Sequence, residues 1–310
     1  MDLMQRLWRT NDVLVMFQGI QTLLVEEYGK PMEAHLSAWI LDHPNEFQDC
    51  LRRIFTAGCD LAPIGTQASS PFRAKPFGQS VVDRIYELNY ESARLAKEVT
   101  PKGHYIQAVV STSNPDFLEP LGNMTNDEVY SGYLQQIKGL IDGKVDLITI
   151  AGNHIDEAVI AIKVVKDHCD IPVNVSNSFY AGKKGFRTMM GLDPKAASAK
   201  LQEAGAEIIG ANCGLMTRSK DSNEWYPAAT TLVKEMRRGT DRYLSIGPDA
   251  GLAQLINGKT VYPASPEEMA REVSNWVSAG ARIVGGDCGS NLEHMRKIAT
   301  VLQERGLRGQ

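Results

Sequence analysis

Two ten-residue segments, GAEIIGANCG at residues 205–214 and GARIVGGDCG at residues 280–289, decide the fold of this chain. Each contains Gly-Ala, a charged residue, two apolar residues, a Gly, a small residue, a polar residue, a Cys and a final Gly. The apolar centre of each segment predicts a short buried strand, and the polar residue and the Cys then follow the strand end. The repeated pattern indicates two equivalent βα units of one parallel sheet.

Six further apolar runs of the same kind lie along the chain, and a longer stretch with apolar residues at helical spacing follows each run. The eight predicted strands span residues 13–17, 61–64, 105–110, 145–150, 173–175, 207–210, 243–246 and 282–284. Helix starts are indicated at Thr125 and at Ser265, which Pro266 follows, and a helix end is indicated at Gly280.

The order of these units predicts an α/β fold, a single (β/α)8 TIM barrel that forms one domain over residues 1–310. An open doubly wound sheet is the competing topology. That topology typically has a glycine-rich phosphate loop after an early strand, and the chain contains neither GxGxxG nor GxxxxGK[ST].

The composition excludes several classes of protein. Apolar residues make up 43% and charged residues 23% of the 310 residues, which is typical of a globular protein and not of a disordered one. The net charge of -4 argues against nucleic acid as a partner. No apolar stretch is long enough to span a bilayer and the N-terminal residues do not resemble a signal peptide, so we expect no membrane partner and a cytoplasmic location.

Chemistry in such a barrel belongs at the carboxyl ends of the strands. Cys213 follows the sixth predicted strand and Cys288 the eighth, so their sulfurs could converge and bind zinc. Asp287 is the nearest third ligand, and His154 after the fourth strand is the alternative. A different interpretation remains open for each: a cysteine often only fills the core, Asp287 could cap the helix that contains residues 291–302, and His154 could begin a helix.

These segments also resemble the homocysteine S-methyltransferase family, whose members include betaine-homocysteine methyltransferase and the homocysteine-binding domain of cobalamin-dependent methionine synthase. The likeness includes residues 55–70 and 133–166 and the EHMRKIATVL helix at 293–302. The resemblance implies a (β/α)8 barrel. It also implies a zinc ion that is held by a Cys after strand six and a Cys-Cys pair after strand eight, and these positions are Cys213, Asp287 and Cys288 here. An Asp in place of one Cys preserves the ligand charge but makes the metal site harder.

The chain departs from the family pattern where members bind the amino acid. An Asp-Gly-Gly motif becomes 17–19 (Phe-Gln-Gly), a Glu-Thr-Asn-Thr motif becomes 63–66 (Pro-Ile-Gly-Thr), and a family carboxylate aligns with Ile150. These differences argue against homocysteine as the substrate, because its charges would be buried without partners. If the alignment is shifted, Glu119, Asp146 and Asp156 are replacement anchors.

Residues in the expected loops are candidates for contacts with a substrate. The substrate-binding candidates are Phe17, Gln18, Thr66, Gln67, Asn153, His154 and Asn212. Aromatic candidates for the wall of a pocket are Phe17, Phe72, Phe179, Tyr180, Trp225 and Tyr226.

Three functions are compatible with these observations. The first is a zinc-dependent methyltransferase that moves a methyl group from a small O-, N- or S-methylated donor to a corrinoid protein or a thiol, with no catalytic residue beyond the metal site. Since the chain has no Asp-x-His-x-x-Gly signature, the corrinoid would belong to a separate partner protein. The second is a homocysteine S-methyltransferase that forms methionine, and the third is a binding barrel without catalysis.

Overall fold

The computed structural model describes residues 1–112, 118–119, 122–212 and 222–309, which form a closed parallel barrel surrounded by helices. The strands are β1 (Leu14–Phe17), β2 (Leu61–Pro63), β3 (Tyr105–Ser111), β4 (Leu147–Gly152), β5 (Val173–Asn177), β6 (Tyr180–Gly182), β7 (Gly185–Arg187), β8 (Ile208–Ala211), β9 (Tyr243–Ile246), β10 (Gln254–Ile256), β11 (Lys259–Val261) and β12 (Ala281–Gly286).

The helices have the following bounds: α1 (Leu3–Arg9), α2 (Ile20–Tyr28), α3 (Leu36–Asp42), α4 (Pro44–Thr56), α5 (Pro71–Ala74), α6 (Gln79–Val82), α7 (Ile85–Lys97), α8 (Asn126–Asp142), α9 (Ile155–His168), α10 (Pro194–Ala204), α11 (Ser222–Arg237), α12 (Pro266–Ser278) and α13 (Leu292–Glu304). A short 3-10 helix (Lys75–Phe77) lies between α5 and α6.

The barrel consists of eight parallel strands in the order β1-β12-β9-β8-β5-β4-β3-β2, and β2 closes it onto β1. Each of these strands overlaps one of the eight predicted runs, so the predicted (β/α)8 TIM barrel is confirmed. Thr125 and Ser265 cap α8 and α12 through capping boxes with Glu128 and Glu268, as the sequence predicts. Gly280, at φ 116°, follows the end of α12.

Two small antiparallel hairpins, β6–β7 and β10–β11, were absent from the prediction and extend from the loops after β5 and β9. Each of their strands has only three residues, which is too short for apolar alternation to be recognised.

The barrel interior has two chemically different layers. At the amino end, Leu3 and Leu7 of α1 pack against the inward side chains of the strands, among them Met16 and Leu61, and so close the bottom.

Within the part of the chain that the structure describes, no helix combines the length and the apolar character needed to cross a bilayer.

Above this apolar layer lies a polar ring made of Gln107, Thr149, Asn174 and Ser245, all buried. Ser245 donates to Asn174 (2.9 Å), Asn174 to Thr149 (3.3 Å), Thr149 to Gln107 (2.8 Å), and Gln107 to the carbonyl of Phe17 (3.0 Å). Each of these four side chains is hydrogen-bonded to at least one neighbour, so the polar ring forms a rigid floor beneath the barrel mouth.

Candidate metal centre

Three potential metal ligands lie together at the carboxyl end of two neighbouring barrel strands. Asp249 follows β9, and Asp287 and Cys288 follow β12; one carboxylate or sulfur atom of each lies within 4.8 Å of the other two. The two loops are joined by hydrogen bonds from the Asp287 N–H to the Pro248 carbonyl (3.1 Å) and from the Ala250 N–H to the Cys288 carbonyl (2.9 Å). These backbone hydrogen bonds therefore fix the position of Asp249 relative to Asp287 and Cys288.

Asp287 is held by a neutral amide. The Asn212 side chain, which follows β8, donates from Nδ2 to Oδ2 of Asp287 at 3.2 Å, and its own Oδ1 lies 3.5 Å from the Ser178 hydroxyl. Asp287 is 9% exposed, and its Oδ1 lies 3.8 Å from the Cys288 sulfur. One carboxylate oxygen is thus oriented by Asn212, and the other faces the thiol.

The backbone around the cluster depends on a glycine. Gly289 has φ 74°, a conformation that L side chains rarely adopt, and a Cβ there would lie 2.0 Å from Cγ of Tyr262. Tyr262 therefore packs directly on the turn that carries Cys288.

Tyr226 supports the Asp249 side of the cluster from below. Its hydroxyl donates to the Asp249 carbonyl at 3.4 Å. Burial, and then the nearby Glu268 and Asp249 carboxylates, raise the pKa of Tyr226, so the hydroxyl keeps its proton and remains a donor.

The donor set suits a divalent cation. Two carboxylates and a thiol are ligand types that zinc accepts, and two oxygen donors make the set harder than one composed of thiolates. Cys213, the remaining predicted ligand, lies outside the described residues, at a position that follows β8 in the sequence.

A cavity of about 450 Å³ opens at the barrel mouth beside Asp287 and Cys288. Amide side chains form much of its wall, with Tyr262 as an aromatic contribution; the amides are Gln18, Gln21, Gln67 and Asn212. Glu26 at the exposed rim and Asp287 are the charged side chains among the described lining residues, which include no Lys or Arg.

The predicted substrate-binding residues divide into two groups. Gln18, Gln67 and Asn212 line the cavity. The other four do not line it. Phe17 is buried in the core, and Thr66 is hydrogen-bonded to the Val109 backbone. Asn153 is half-buried after β4, and His154 caps α9 by accepting the Glu157 N–H at 3.2 Å. The alternative that His154 begins a helix therefore describes its position, whereas α13 is capped by Asn291 and not by Asp287.

The replacement anchors lie elsewhere. Asp146 is at the amino end of the barrel, where it pairs with Lys97 at 2.7 Å, and Asp156 pairs with Lys200 on the surface. Glu119 is exposed and does not line the cavity. The described lining includes none of the aromatic candidates. Of these, Tyr180 is half-buried and the others are buried, namely Phe17, Phe72, Phe179, Trp225 and Tyr226.

Sequence reasoning missed Asp249 and Tyr262. Asp249 is the third residue after β9, so the rule that placed Asp287 could also have indicated it. Tyr262 follows the unpredicted strand β11, and no sequence signal marks it.

Solved structures share this architecture. The chain is 15% identical to the metallated form of the homocysteine methyltransferase MmuM from Escherichia coli, with a TM-score of 0.75, and the match covers 96% of this chain and 99% of that one. A B12-independent methionine synthase from Shewanella sp. W3-18-1, in complex with selenomethionine, is 14% identical, with a TM-score of 0.55 over 89% of this chain and 92% of the other. At these identities the matches establish the fold.

The sequence itself establishes the family. The family model described as homocysteine S-methyltransferase matches residues 14–302, nearly the whole chain. The chain therefore belongs to the homocysteine S-methyltransferase family, as the sequence resemblance predicts, and it is a methyltransferase.

Proposed function

We propose that residues 1–310 form a single zinc-dependent methyltransferase domain that takes a methyl group from a small O-, N- or S-methylated donor. The acceptor is a corrinoid on a separate protein or a thiol. The observation that carries the proposal is the cluster of Asp249, Asp287 and Cys288 at the edge of the cavity. Cys213 is proposed as a further ligand, because it follows the strand beside β9.

Each described residue has a defined task in this proposal. Asp249, Asp287 and Cys288 hold the ion, and Asn212 keeps Asp287 in place through its hydrogen bond. A bound zinc ion supplies Lewis acidity, which makes a methylated heteroatom a better leaving group and favours the thiolate form of a thiol. Tyr262 forms part of the cavity wall, and the polar ring that contains Asn174 and Ser245 lies below the cavity.

The lining argues for a donor that is not an amino acid. Homocysteine carries an ammonium and a carboxylate, and each charge needs a partner when it leaves water. The described lining offers neutral amides and no cation for the carboxylate. Homocysteine S-methylation, which the family name suggests, is the second candidate function.

Metal analysis tests the zinc part of the proposal. Protein purified under reducing conditions without chelators is expected to contain about one zinc per chain by mass spectrometry of the metal. Asp287→Ala and Cys288→Ala should lose the zinc. Cys169→Ala removes a half-buried thiol at the end of α9 and should retain it. Wild-type protein without zinc would contradict the proposal.

Methyl transfer tests the substrate part. Zinc-loaded protein is mixed with cob(I)alamin and 2-methoxyphenol, trimethylamine or S-methylmethionine, and methylcobalamin is followed by its absorbance. A parallel reaction supplies homocysteine with S-methylmethionine. We expect methylcobalamin from at least one donor. If homocysteine is methylated by S-methylmethionine and no donor yields methylcobalamin, the second candidate function is established instead.

A further inference from the structure

The Gln18 side chain extends across the barrel mouth toward the metal ligands. The backbone N–H of Gln18 donates to the Gly286 carbonyl at 3.1 Å, which fixes the chain beside β12. Its Oε1 lies 2.4 Å from the position that a Cβ on Gly247 would occupy. Gly247 precedes Asp249 by two residues, and Gln18 lines the same cavity as Asp287 and Cys288.

This amide has no hydrogen bond to the described residues, although its Oε1 is buried. Gln67, which lines the same cavity, is different because its Nε2 donates to Oε1 of Gln21 at 3.1 Å. A buried polar group without a partner is unfavourable, and a ligand that supplies the partner gains affinity. Because Gln18 also lines the cavity, turning its terminal amide makes this unused hydrogen-bonding capacity available to a ligand there.

The chemistry of the amide selects the ligand group. The terminal torsion of a Gln side chain is broad, so Gln18 can present either its N–H or its carbonyl. A hydroxyl is an uncharged group that can pair with either end. A carboxylate would find no Lys or Arg in the described lining. An ammonium beside Gln18 would meet a neutral amide, since of the two carboxylates in the lining Asp287 is a proposed metal ligand and Glu26 lies at the exposed rim.

We propose that Gln18 is a specificity-determining residue that selects an uncharged methyl donor bearing a hydroxyl next to its methylated oxygen. This inference rests on the proposed function, because the methylated oxygen faces the metal ligands while the hydroxyl pairs with Gln18. The volume of about 450 Å³ accommodates a single-ring methyl ether.

Isothermal titration calorimetry on the zinc-loaded full chain tests the proposal with three probes. Wild-type protein should bind 2-methoxyphenol roughly tenfold or more tighter than 1,2-dimethoxybenzene, which lacks the hydroxyl, and tighter than protonated 2-methoxybenzylamine. Gln18→Met, which keeps the length of the side chain, should lose the preference for the hydroxyl. The matched control Gln303→Met changes an exposed glutamine of α13 that does not line this cavity, and it should keep the preference.

Gln18→Glu introduces a negative charge at this position without changing the shape of the side chain. It should reverse the order of affinities and bind protonated 2-methoxybenzylamine tighter than 2-methoxyphenol. The proposal is overturned if wild-type protein binds no 2-methoxyphenol, if Gln18→Met keeps the hydroxyl preference, or if Gln18→Glu leaves the order unchanged.

The two proposals fail separately. Zinc binding and methyl transfer without Gln18-dependent discrimination would overturn only the role of Gln18. The opposite result is also possible: protein purified without zinc, and titrated without added metal, prefers 2-methoxyphenol in a Gln18-dependent way. That result would support the role of Gln18 and overturn the zinc mechanism.

Discussion

Asn212 acts on the candidate metal centre through a single hydrogen bond. Its Nδ2 orients Asp287, and removal of such a partner typically weakens metal binding by roughly 10- to 100-fold. We therefore expect Asn212→Leu to raise the Kd for zinc by roughly that factor, measured by competition with a chromophoric chelator.

Thr260→Val is the matched control for that measurement. Thr260 lines the same cavity but does not belong to the metal cluster, so its variant should bind zinc like the wild type. An unchanged Kd in Asn212→Leu would show that Asp287 needs no support from Asn212.

The site was partly predictable at the level of single residues. Asp287 and Cys288 follow a recognisable strand directly, and the position of a strand end is encoded in the apolar run before it. Asp249 is the third residue after its strand, so the strand-end rule indicates its loop but not the direction of its side chain. His154 also follows a strand, but its imidazole accepts the N–H of its own helix, and this local competition is not visible in the spacing.

Helix α13, which follows the Cys288 turn, contains a pH-sensitive contact. His294 is buried; its Nδ1 lies 3.3 Å from the Asn291 backbone nitrogen and 2.9 Å from Asn291 Oδ1, and its Nε2 lies 3.2 Å from the Ala264 carbonyl oxygen. Burial lowers the pKa of His294. The unfolded chain, with a histidine pKa of about 6.5, then binds more protons than the folded chain as the pH falls below that value.

The sign of this linkage gives a prediction for stability. The contribution of His294 is complete above about pH 6.5 and decreases as the pH falls toward its lowered folded-state pKa. We expect the Tm to decrease between about pH 7 and pH 5, and His294→Gln to show a shallower decrease. Because burial also lowers the pKa of His35, some slope should remain in the variant. Equal slopes in the two proteins would exclude His294 as a source.

Elements differ in how much sequence information they carry. The barrel strands and the caps at Thr125 and Ser265 were predictable because apolar runs and capping boxes are local signals. The hairpins β6–β7 and β10–β11 were not, because three-residue strands show no alternation. One consequence is that Tyr262, just after β11, could not be assigned to the cavity.

The whole barrel depends on α1 to close its amino end. Leu7 is 1% exposed and packs among the inward side chains of the strands. Leu7→Ala should lower the free energy of unfolding by about 2–5 kcal/mol, because truncation of a buried leucine removes apolar contacts and leaves a cavity. Chemical denaturation measures this change.

An exposed leucine provides the control. Leu255 on β10 is 78% exposed, so Leu255→Ala should change the free energy of unfolding by less than about 0.5 kcal/mol. Similar losses in both variants would mean that α1 does not seal the barrel.

At the scale of the molecule, the fold was the most predictable feature and the substrate the least. Eight parallel units without a phosphate-binding motif leave few topologies other than a closed barrel. The character of the cavity depends on side chains such as Gln18 and Tyr262, which lie far apart in the sequence and come together only when the barrel has closed.

The ring formed by Gln107, Thr149, Asn174 and Ser245 has a consequence for how such an enzyme changes over evolutionary time. Loss of one member leaves its buried neighbours without partners, so single substitutions in the ring are disfavoured. Gln18, in the loop after β1, carries no such dependence, because its side-chain amide has no hydrogen bond to the described residues. New substrates can therefore be acquired by exchanging loop residues one at a time, while the layer beneath preserves the ability of the chain to fold.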